Sequence, residues 1–485
     1  MTREKKPSDA LVEIDRATAV PLHRQIYERF RTAIEQGVLG PGDRVASARS
    51  LASELGVARG TVETAYNLLA GEGYLSARGQ AGTVVSPSLP SLPSRRPARR
   101  KPRRAEARAL DPMFAKPAPP PPLLQLGIPA LDAFPRKLWA RLASRRLRAT
   151  AAADMFYGDP SGHPPLRAAI AAYLQVSRGV SCHPSQVFVT GGYRASLALA
   201  SRTLLAAGDR VWVEDPGFPP TLEVLRSAGQ LAVPVPVDDE GMVVALGMRK
   251  APKAKMAVVT PSHQAPLGVS MSLARRLQLL AWASQAKAWI LEDDYDGEYR
   301  YAGPPLPALK SLDGQDRVLY AGSFSKVLYP GLALGYVVVP DSLCEVFGAA
   351  VQTWSNGCPQ ITQAVVADFM REGHFSRHLK KMRLLYARRR NMLAQALAKA
   401  FGEEVRIDLQ GGGMHLIARF AMRGASDEEL ARRAQLAGLN CQPLSARGTA
   451  RFSDQGLLIG FTNVGSAAQA QQLATRLRNA LDGKR

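Results

Sequence analysis

The chain has 485 residues, 46% of them hydrophobic and 21% charged, and its formal net charge is +22. The length exceeds one ordinary domain, and the composition is that of a globular protein rather than a disordered one. The positive excess favours a polyanionic partner, nucleic acid before anionic membrane, although a basic surface can also serve only to keep a protein soluble.

Targeting and metal signals are lacking in the sequence. Four widely spaced cysteines and the lack of clustered histidines argue against a zinc site or a disulfide framework and fit a reducing compartment. The N-terminus leads into no apolar signal-peptide core, and no run of about 18 apolar residues occurs that could span a membrane. We therefore expect a cytoplasmic protein with no membrane partner and no metal.

The segment before Val85 has the pattern of three short helices. In the first, Pro21 to Glu35, apolar residues recur at every fourth position. Ser47 can cap a second helix over 48–55, and a third is predicted over 59–69 after a turn at Gly56. Two helices joined by a glycine-containing turn are typical of a helix-turn-helix, whose second helix enters the DNA major groove.

Donors for DNA stand where this layout needs them. Arg59 and Thr61 open the third helix, and Arg49 on the preceding helix can hold a phosphate. Two short strands, 74–77 and 83–85, flank a glycine-rich tip that carries Arg78 and is suited to the DNA backbone or minor groove. The alternative is a small helical bundle whose surface arginines bind nothing.

Residues 21–85 resemble the winged helix-turn-helix domain of the GntR family. The resemblance is carried by Pro21–Tyr27, Leu51–Val62 and Glu72–Leu75. It implies that arginines and threonines matching Arg49, Arg59 and Thr61 contact DNA. Glu63 departs from the relatives that carry a basic residue there; a carboxylate repels phosphate, so the operator cannot be inferred from relatives.

A proline-rich segment over 86–122 predicts an extended linker. Its basic run, Arg95–Arg104, either reaches along DNA phosphates or forms a solvated, self-repelling tether. We expect an α+β DNA-binding domain over 10–85, this linker, and a second domain over 123–485.

The second domain alternates apolar strands with amphipathic helices. The predicted strands are Val187–Thr190, Arg210–Val213, Ala257–Thr260 and Trp289–Leu291. Continuous apolar strands between helices indicate an α/β fold with a mostly parallel sheet covered on both faces.

Two chemical signals follow these strands. Lys326 comes after the strand Val318–Tyr320 among small and hydroxyl residues, where desolvation lowers a lysine pKa and makes it a competent Schiff-base nucleophile. The acids of Glu292–Asp296 follow a buried strand, and a carboxylate there can keep a pyridinium nitrogen protonated, as pyridoxal phosphate requires. Either signal alone also fits a solvated loop.

Four further segments of the chain, together with these two signals, form an ordered series of motifs that is highly specific. They are Tyr157–Arg167, Thr190–Gly192, Glu214–Phe218 and Thr260–Gly268. With the acids and Lys326, they resemble the fold-type I aminotransferases over residues 123–485. Together with the N-terminal domain, the chain resembles the MocR/GabR subfamily of transcriptional regulators.

The resemblance implies a role for each position around pyridoxal phosphate. Lys326 would form the Schiff base, Asp293 would pair with the pyridine nitrogen, and Tyr295 would bind the phenolic oxygen. The other implied contacts are ring stacking by Phe218, a phosphate cradle at Gly192, Tyr193 and Arg194, hydroxyl contacts from Ser323 and Ser325, and the oxygen edge of the ring at His263 or Gln264. Tyr157 would reach the phosphate in the partner subunit of a homodimer.

Two departures from the aminotransferase pattern bear on function. Ala333 stands where the family usually has a phosphate-binding arginine, a loss that Arg194 could offset. The late strand 456–461 lacks the arginine that holds a substrate carboxylate in aminotransferases, and Arg447 and Arg451 are either its replacements or surface residues.

We therefore predict a dimeric, pyridoxal-phosphate-binding regulator of a DNA operator, without net catalysis and responsive to the cofactor, an amine or an amino acid. The linker would permit exchange of the DNA-binding domains between subunits. The alternatives are an active aminotransferase with a fused DNA-binding module, and a DNA-binding protein whose large domain only dimerises.

Overall fold

The computed structural model describes residues 14–16, 18, 20–77, 82–87, 122–301, 307–354, 357–421, 425–449 and 452–483. The chain divides into two compact units, residues 1–116 and residues 117–485. Most of the predicted linker, its basic run, Arg78 and Arg451 lie outside the described residues.

The first unit consists of three helices followed by a β-hairpin: α1 (Leu22–Glu35), α2 (Ala48–Leu55), α3 (Arg59–Gly71), β1 (Leu75–Ala77) and β2 (Thr83–Val85). Helix α2 begins where the Ser47 side chain accepts a hydrogen bond from the Ser50 N–H, and it ends at Gly56 with φ of 60°. Helix α1 packs on α3, where the rings of Phe30 and Tyr66 meet edge to face with centroids 5.4 Å apart. This is the predicted winged helix-turn-helix.

The second unit is built on an eight-stranded sheet. Its strands in chain order are β3 (Val187–Thr190), β4 (Arg210–Asp215), β5 (Leu231–Asp238), β6 (Gly241–Met242), β7 (Met256–Val259), β8 (Trp289–Asp294), β9 (Val318–Ser323) and β10 (Gly335–Val338). Their spatial order is β3-β10-β9-β8-β7-β4-β5-β6. Strands β9, β8, β7, β4 and β5 are parallel, whereas β10 is antiparallel to both neighbours and β6 is antiparallel to β5. The predicted mostly parallel sheet is confirmed.

Helices cover this sheet and connect its strands. They are α4 (Arg136–Ala149), α5 (Pro164–Arg178), α6 (Tyr193–Leu204), α7 (Pro219–Ser227), α8 (Val244–Lys250), α9 (Leu273–Ala286), α10 (Phe324–Val327), α11 (Cys344–Trp354) and α12 (Gln360–Arg371). None of the helices in the described part of the chain is long and apolar enough to cross a membrane.

The C-terminal part of this unit adds a second, antiparallel sheet. Its strands are β11 (Val405–Asp408), β12 (His415–Phe420), β13 (Gln442–Pro443) and β14 (Leu457–Gly460), in the order β11-β12-β14-β13. The accompanying helices are α13 (His374–Phe401), α14 (Asp427–Leu436) and α15 (Ala467–Leu481).

Successive side chains of β8 alternate between two hydrophobic clusters, one on each face of the sheet. Leu291 lies in a cluster with Leu197 of α6 and Phe347 of α11, whereas Ile290 lies in a cluster with Leu279 and Trp282 of α9. Because successive strand residues point to opposite faces, Asp293 continues the face of Leu291, and its neighbours in sequence continue the other.

Candidate functional site

A cavity of about 100 Å³ lies beyond the carboxyl ends of β4, β7 and β8. Polar and aromatic side chains line it: Tyr193, Glu214, Phe218, Thr260, Asp293 and Arg447. The carboxyl edge of parallel strands is where open α/β sheets bind ligands. The fold thus brings three of the predicted cofactor residues, Tyr193, Phe218 and Asp293, into one cavity.

Asp293 is a buried carboxyl at the end of β8, only 6% exposed. Burial raises its pKa well above the usual range, and the neighbouring carboxylates of Asp294 and Asp296 raise it further, whereas the Lys326 ammonium lowers it. A carboxyl in this setting gains most from a cationic partner, because such a partner stabilises its charged form.

Lys326 lies on α10, directly after β9, and its Nζ donates a hydrogen bond of 2.9 Å to the Gly127 carbonyl. Burial lowers the pKa of Lys326, and the carboxylates of Asp296 and Asp293 oppose this effect. Gly127 has φ of 68°, a left-handed conformation that favours glycine. The lysine is therefore held in an enclosed, partly desolvated site.

Tyr295 and His263 are in contact, as the predicted shared role at a phenolic oxygen requires. The Tyr295 hydroxyl lies 3.1 Å from His263 Nδ1, and the same nitrogen lies 3.2 Å from Asp296 Oδ1. Burial lowers the pKa of His263, but the Asp296 carboxylate outweighs it, and the net pKa is raised. Gln264 instead donates to the backbone carbonyls of Pro216 and Ala265, so the geometry favours His263 for the role.

The start of α6 forms one wall of the cavity. Gly192 precedes the helix with φ of 104°, and no heavy atom lies within 4 Å of where its Cβ would stand, so the backbone is open to an approaching group. The Tyr193 hydroxyl lies 2.7 Å from Thr221 Oγ1, and the Tyr193 and Phe218 ring centroids are 5.9 Å apart. The exposed Arg194 guanidinium lies 3.5 Å from the Glu223 carboxylate on α7.

The remaining predicted cofactor residues lie on or after β9, or at the surface. Ser323 caps α10 by accepting a 3.2 Å hydrogen bond from the Ser325 N–H. Ala333 adopts a left-handed conformation with φ of 47°. Tyr157 is 78% exposed and its ring packs against that of the exposed Phe156, so these rings form an apolar surface.

The DNA-contacting candidates lie on the exposed side of the first unit. Arg49 and Arg59 are exposed and Thr61 is half-buried. Arg59 Nε is 2.8 Å from Glu63 Oε1, one helical turn away, so an exposed ion pair joins the first arginine of α3 to this glutamate. Arg16 donates to the Gly56 carbonyl over 2.9 Å and so caps the end of α2.

Comparison with known proteins places both units in families. The family described as "Aminotransferase class I and II" matches residues 124–477, and "Bacterial regulatory proteins, gntR family" matches residues 22–85. The chain is 40% identical over 462 residues to the "Probable rhizopine catabolism regulatory protein MocR" of Rhizobium meliloti, covering 94% of this chain and 92% of that protein. The chain belongs to the MocR-type transcriptional regulators.

Other similar proteins agree with this assignment. The pyridoxine biosynthesis transcriptional regulator PdxR of Corynebacterium glutamicum is 34% identical over 447 residues and 92% of each chain. The crystal structure of Pyrococcus horikoshii kynurenine aminotransferase in complex with PMP superposes with a TM-score of 0.67 at 28% identity, covering 74% of this chain and 90% of that one. This MocR-type chain therefore joins a GntR DNA-binding domain to an aminotransferase fold, and a regulator is favoured over a free-standing enzyme.

Three residues of this MocR-type site received no individual role from the sequence, although Asp296 and Glu214 lie in segments that it singled out. Gly127 and Asp296 contact or influence Lys326, and Glu214 lines the cavity beside Asp293. Burial raises the pKa of Glu214 to about 7, against hydrogen bonds from Thr260 and Gln264 that lower it. Glu214 could have been recognised from the sequence, because it directly follows an apolar predicted strand. Gly127 lies before the nearest predicted helix or strand, and no sequence motif pointed to it.

Arg447, one of the two candidates for a carboxylate-binding arginine, lies at the cavity wall. Its segment is fastened across the pocket, since the Gly217 N–H donates to the Arg447 carbonyl over 2.9 Å. The Asp215 carboxylate accepts hydrogen bonds from the Thr449 N–H and hydroxyl, at 2.8 and 2.6 Å. Arg447 is thus positioned as a pocket residue rather than a surface one.

Proposed function

We propose that this regulator binds pyridoxal phosphate at the carboxyl edge of β4, β7 and β8, with Lys326 as its covalent anchor. The observation that carries the proposal is the burial of Lys326 close to the Asp293 carboxyl, with a lowered pKa on the lysine and a raised one on the acid. A lowered pKa increases the fraction of the neutral amine, which is the form of lysine that attacks a carbonyl carbon.

The residues present fit this cofactor. Asp293 would hold the protonated ring nitrogen, Phe218 would cover a ring face, and Tyr295 with His263 would bind the phenolic oxygen. The first backbone N–H groups of α6, after the open Gly192, would hold the phosphate together with the helix dipole. When bound, pyridoxal phosphate supplies an electrophilic carbon and an electron-withdrawing ring.

Hydroxyl and surface groups complete the proposed arrangement. Ser323 and Ser325 would add contacts at the phosphate end. Tyr157, exposed on one protomer, would serve the site of a second copy in a homodimer. Arg447 would hold the carboxylate of an amino-acid effector, because it lines the same cavity as Asp293.

Regulation would follow from linkage between this site and DNA. The operator contacts would come from Arg49, Arg59, Thr61 and Arg78. The domain boundaries would be those expected from the sequence, and the protein would act in the cytoplasm. A cofactor or effector that binds one arrangement of the domains more tightly shifts the population toward it. No net turnover is needed for this action.

The test is the near-visible spectrum of the purified protein with added pyridoxal phosphate, before and after borohydride. We expect a lysine-linked band that borohydride removes and that Lys326→Ala lacks. Lys310 provides a matched control, because it is also a buried lysine of lowered pKa but donates to the Val318 carbonyl over 2.7 Å. A band that persists in Lys326→Ala, or no band at saturating cofactor, would refute the proposal.

An active aminotransferase is the second candidate, and the position of Arg447 favours it. Multiple turnovers of an amino donor and a 2-oxo acid, abolished by both Lys326→Ala and Arg447→Gln, would establish enzymatic activity. Product limited to one equivalent per subunit would leave the regulator without net catalysis.

A further inference from the structure

A second cavity, of about 220 Å³, shares no lining residue with the cofactor pocket. Three loops enclose it: residues 262–270 after β7, residues 296–300 after β8, and the turn 411–413 between β11 and β12. Its wall includes His263 and Asp296, so the cavity adjoins the groups around Tyr295 and Lys326.

Glycines hold this cavity in its shape. Gly413 has φ of 83°, and a Cβ atom there would collide with the His263 ring. A Cβ atom on Gly297 would collide with the Arg178 guanidinium. The polar side chains of the wall therefore approach the backbone as closely as they do only because these positions lack side chains.

Several buried polar atoms of the wall have no hydrogen-bond partner among the described residues. They include Arg178 Nε, Ser262 Oγ, His263 Nε2, Asp296 Oδ2 and Arg300 Nε. Ser262 is 8% exposed and Asp296 is 1% exposed, so solvent at the protein surface does not satisfy them. Buried polar groups in folded proteins are nearly always paired, and a cluster of unpaired ones facing a cavity indicates a polar occupant.

The charges of the wall specify the occupant further. Arg178 is paired with Asp294 at 2.7 Å, and Asp296 uses Oδ1 toward His263 at 3.2 Å. Within the described part of the chain, neither Arg300 Nε nor Asp296 Oδ2 makes a hydrogen bond. The cavity thus presents one cation and one carboxylate oxygen that a ligand of opposite charges would satisfy together.

The volume limits the size of such a ligand. A cavity of about 150 Å³ accepts a molecule as large as benzene, so this one accommodates up to about nine non-hydrogen atoms. Short amino acids have that size and carry both charges.

We propose that this cavity binds a small zwitterionic amino acid without covalent attachment, its carboxylate on Arg300 and Ser262 and its ammonium on Asp296. The site is separate from any exchange at Lys326 and does not require it. It gives the regulator a second way to sense amino acids, and His263 and Asp296 would transmit occupancy to the groups around the cofactor.

The experiment uses the full chain with its Lys326 linkage fixed by borohydride, which blocks exchange at the cofactor. Calorimetric titration compares glycine, β-alanine, 4-aminobutyrate and 5-aminopentanoate with propionate and propylamine, which carry one charge each. We expect at least one zwitterion to bind with a Kd of about 1 mM or tighter, and the singly charged probes to bind at least about tenfold more weakly.

Variants locate the binding. Arg300→Gln should weaken the zwitterion by about tenfold or more, and Ser262→Ala by a smaller factor. Arg406→Gln is the matched control, because Arg406 is 73% exposed on β11, pairs with Asp408 and lies outside the cavity. It should leave the affinity unchanged.

The outcomes separate this proposal from that of the cofactor. No binding of any zwitterion at about 10 mM, or binding that Arg300→Gln does not weaken, overturns the amino-acid site. If the lysine-linked band is absent, the cofactor proposal fails, and the same titration on the unreduced protein and on Lys326→Ala still decides the cavity.

Discussion

Three consecutive carboxyl side chains end strand β8, and the two faces of the sheet use them differently. On one face, Glu292 accepts hydrogen bonds from the backbone N–H groups of Leu309 and Lys310, at 2.8 and 2.9 Å. On that same face, Asp294 pairs with Arg178 at 2.7 Å and accepts a 2.6 Å hydrogen bond from the Tyr320 hydroxyl. On the other face, Asp293 lines the cavity proposed to hold the cofactor.

The comparison shows that burial alone does not mark a ligand-binding acid. All three are at most 6% exposed, and burial raises the pKa of both Glu292 and Asp293. What separates them is where the partners come from. Groups of the protein bind Glu292 and Oδ2 of Asp294 and so fasten the fold together, whereas Asp293 faces a cavity.

Asp294→Ala tests the structural face and should have the largest effect. Removal of the carboxylate leaves the Arg178 guanidinium, 3% exposed, without its partner, and such a loss destabilises a protein by about 3–5 kcal/mol. Urea unfolding measures it. A double variant, Arg178→Met with Asp294→Leu, should recover much of the loss; if it is no more stable than the single variant, the pair is not the cause.

Glu214 adds a pH dependence to the pocket side. Its pKa rises from 4.5 in the unfolded chain to about 7 in the fold, so its contribution to stability is full below pH 4.5 and is lost as the pH rises through 7. Glu214→Gln should reduce the difference in unfolding free energy between these pH values by on the order of 3 kcal/mol. An unchanged pH profile would show that Glu214 is ionised in the fold.

Asp293→Asn tests the pocket face directly. The affinity for pyridoxal phosphate should fall about a hundredfold, since the amide cannot hold a ring nitrogen in its charged form. The cofactor-free protein should be as stable as the wild type, because a buried ionisable group is replaced by a neutral one of equal size. Spectral titration and urea unfolding together measure both, and the reverse pattern would exchange the roles of the two faces.

Ala333→Arg should have the smallest effect, a gain of about tenfold in cofactor affinity through a new charge-assisted contact. Alanine and arginine are equally disfavoured in the left-handed conformation of position 333, φ of 47°. The two proteins therefore differ in the side chain and not in backbone strain. Ala333→Gln is the control for side-chain length. Equal affinities for the arginine and glutamine variants would indicate that the phosphate lies elsewhere.

Local patterns made much of this architecture predictable. Helix α2 was expected over 48–55 and is found there, because Ser47 and Gly56 mark its ends. Strand β8 was expected over 289–291 but continues to Asp294, since buried partners on other elements satisfy the acids that looked like a loop. The partners of Asp294 lie far away in sequence, so no local signal announced them.

The candidate site divides in the same way. Lys326 and Asp293 were singled out because each follows an apolar strand within a short motif. Asp296 was recognised only as one of a run of acids, and Gly127 was not recognised, because their roles depend on contacts between distant segments. Arg194 was assigned to the phosphate from its position in the sequence. Position does not determine where a side chain goes, and in the structure the Arg194 side chain lies next to Glu223 on a neighbouring helix.

The ion pair between Arg59 and Glu63 has a consequence for how the regulator finds its operator. A protein that neutralises phosphates releases condensed counterions, and its affinity falls with added salt in proportion to the number of phosphates neutralised. In the proposed operator complex, helix α3 would contribute little to that release, because its leading arginine is paired with a glutamate. In that arrangement the helix would act mainly through contacts that distinguish base pairs, and the salt-dependent attraction to DNA would come from basic groups elsewhere in the chain.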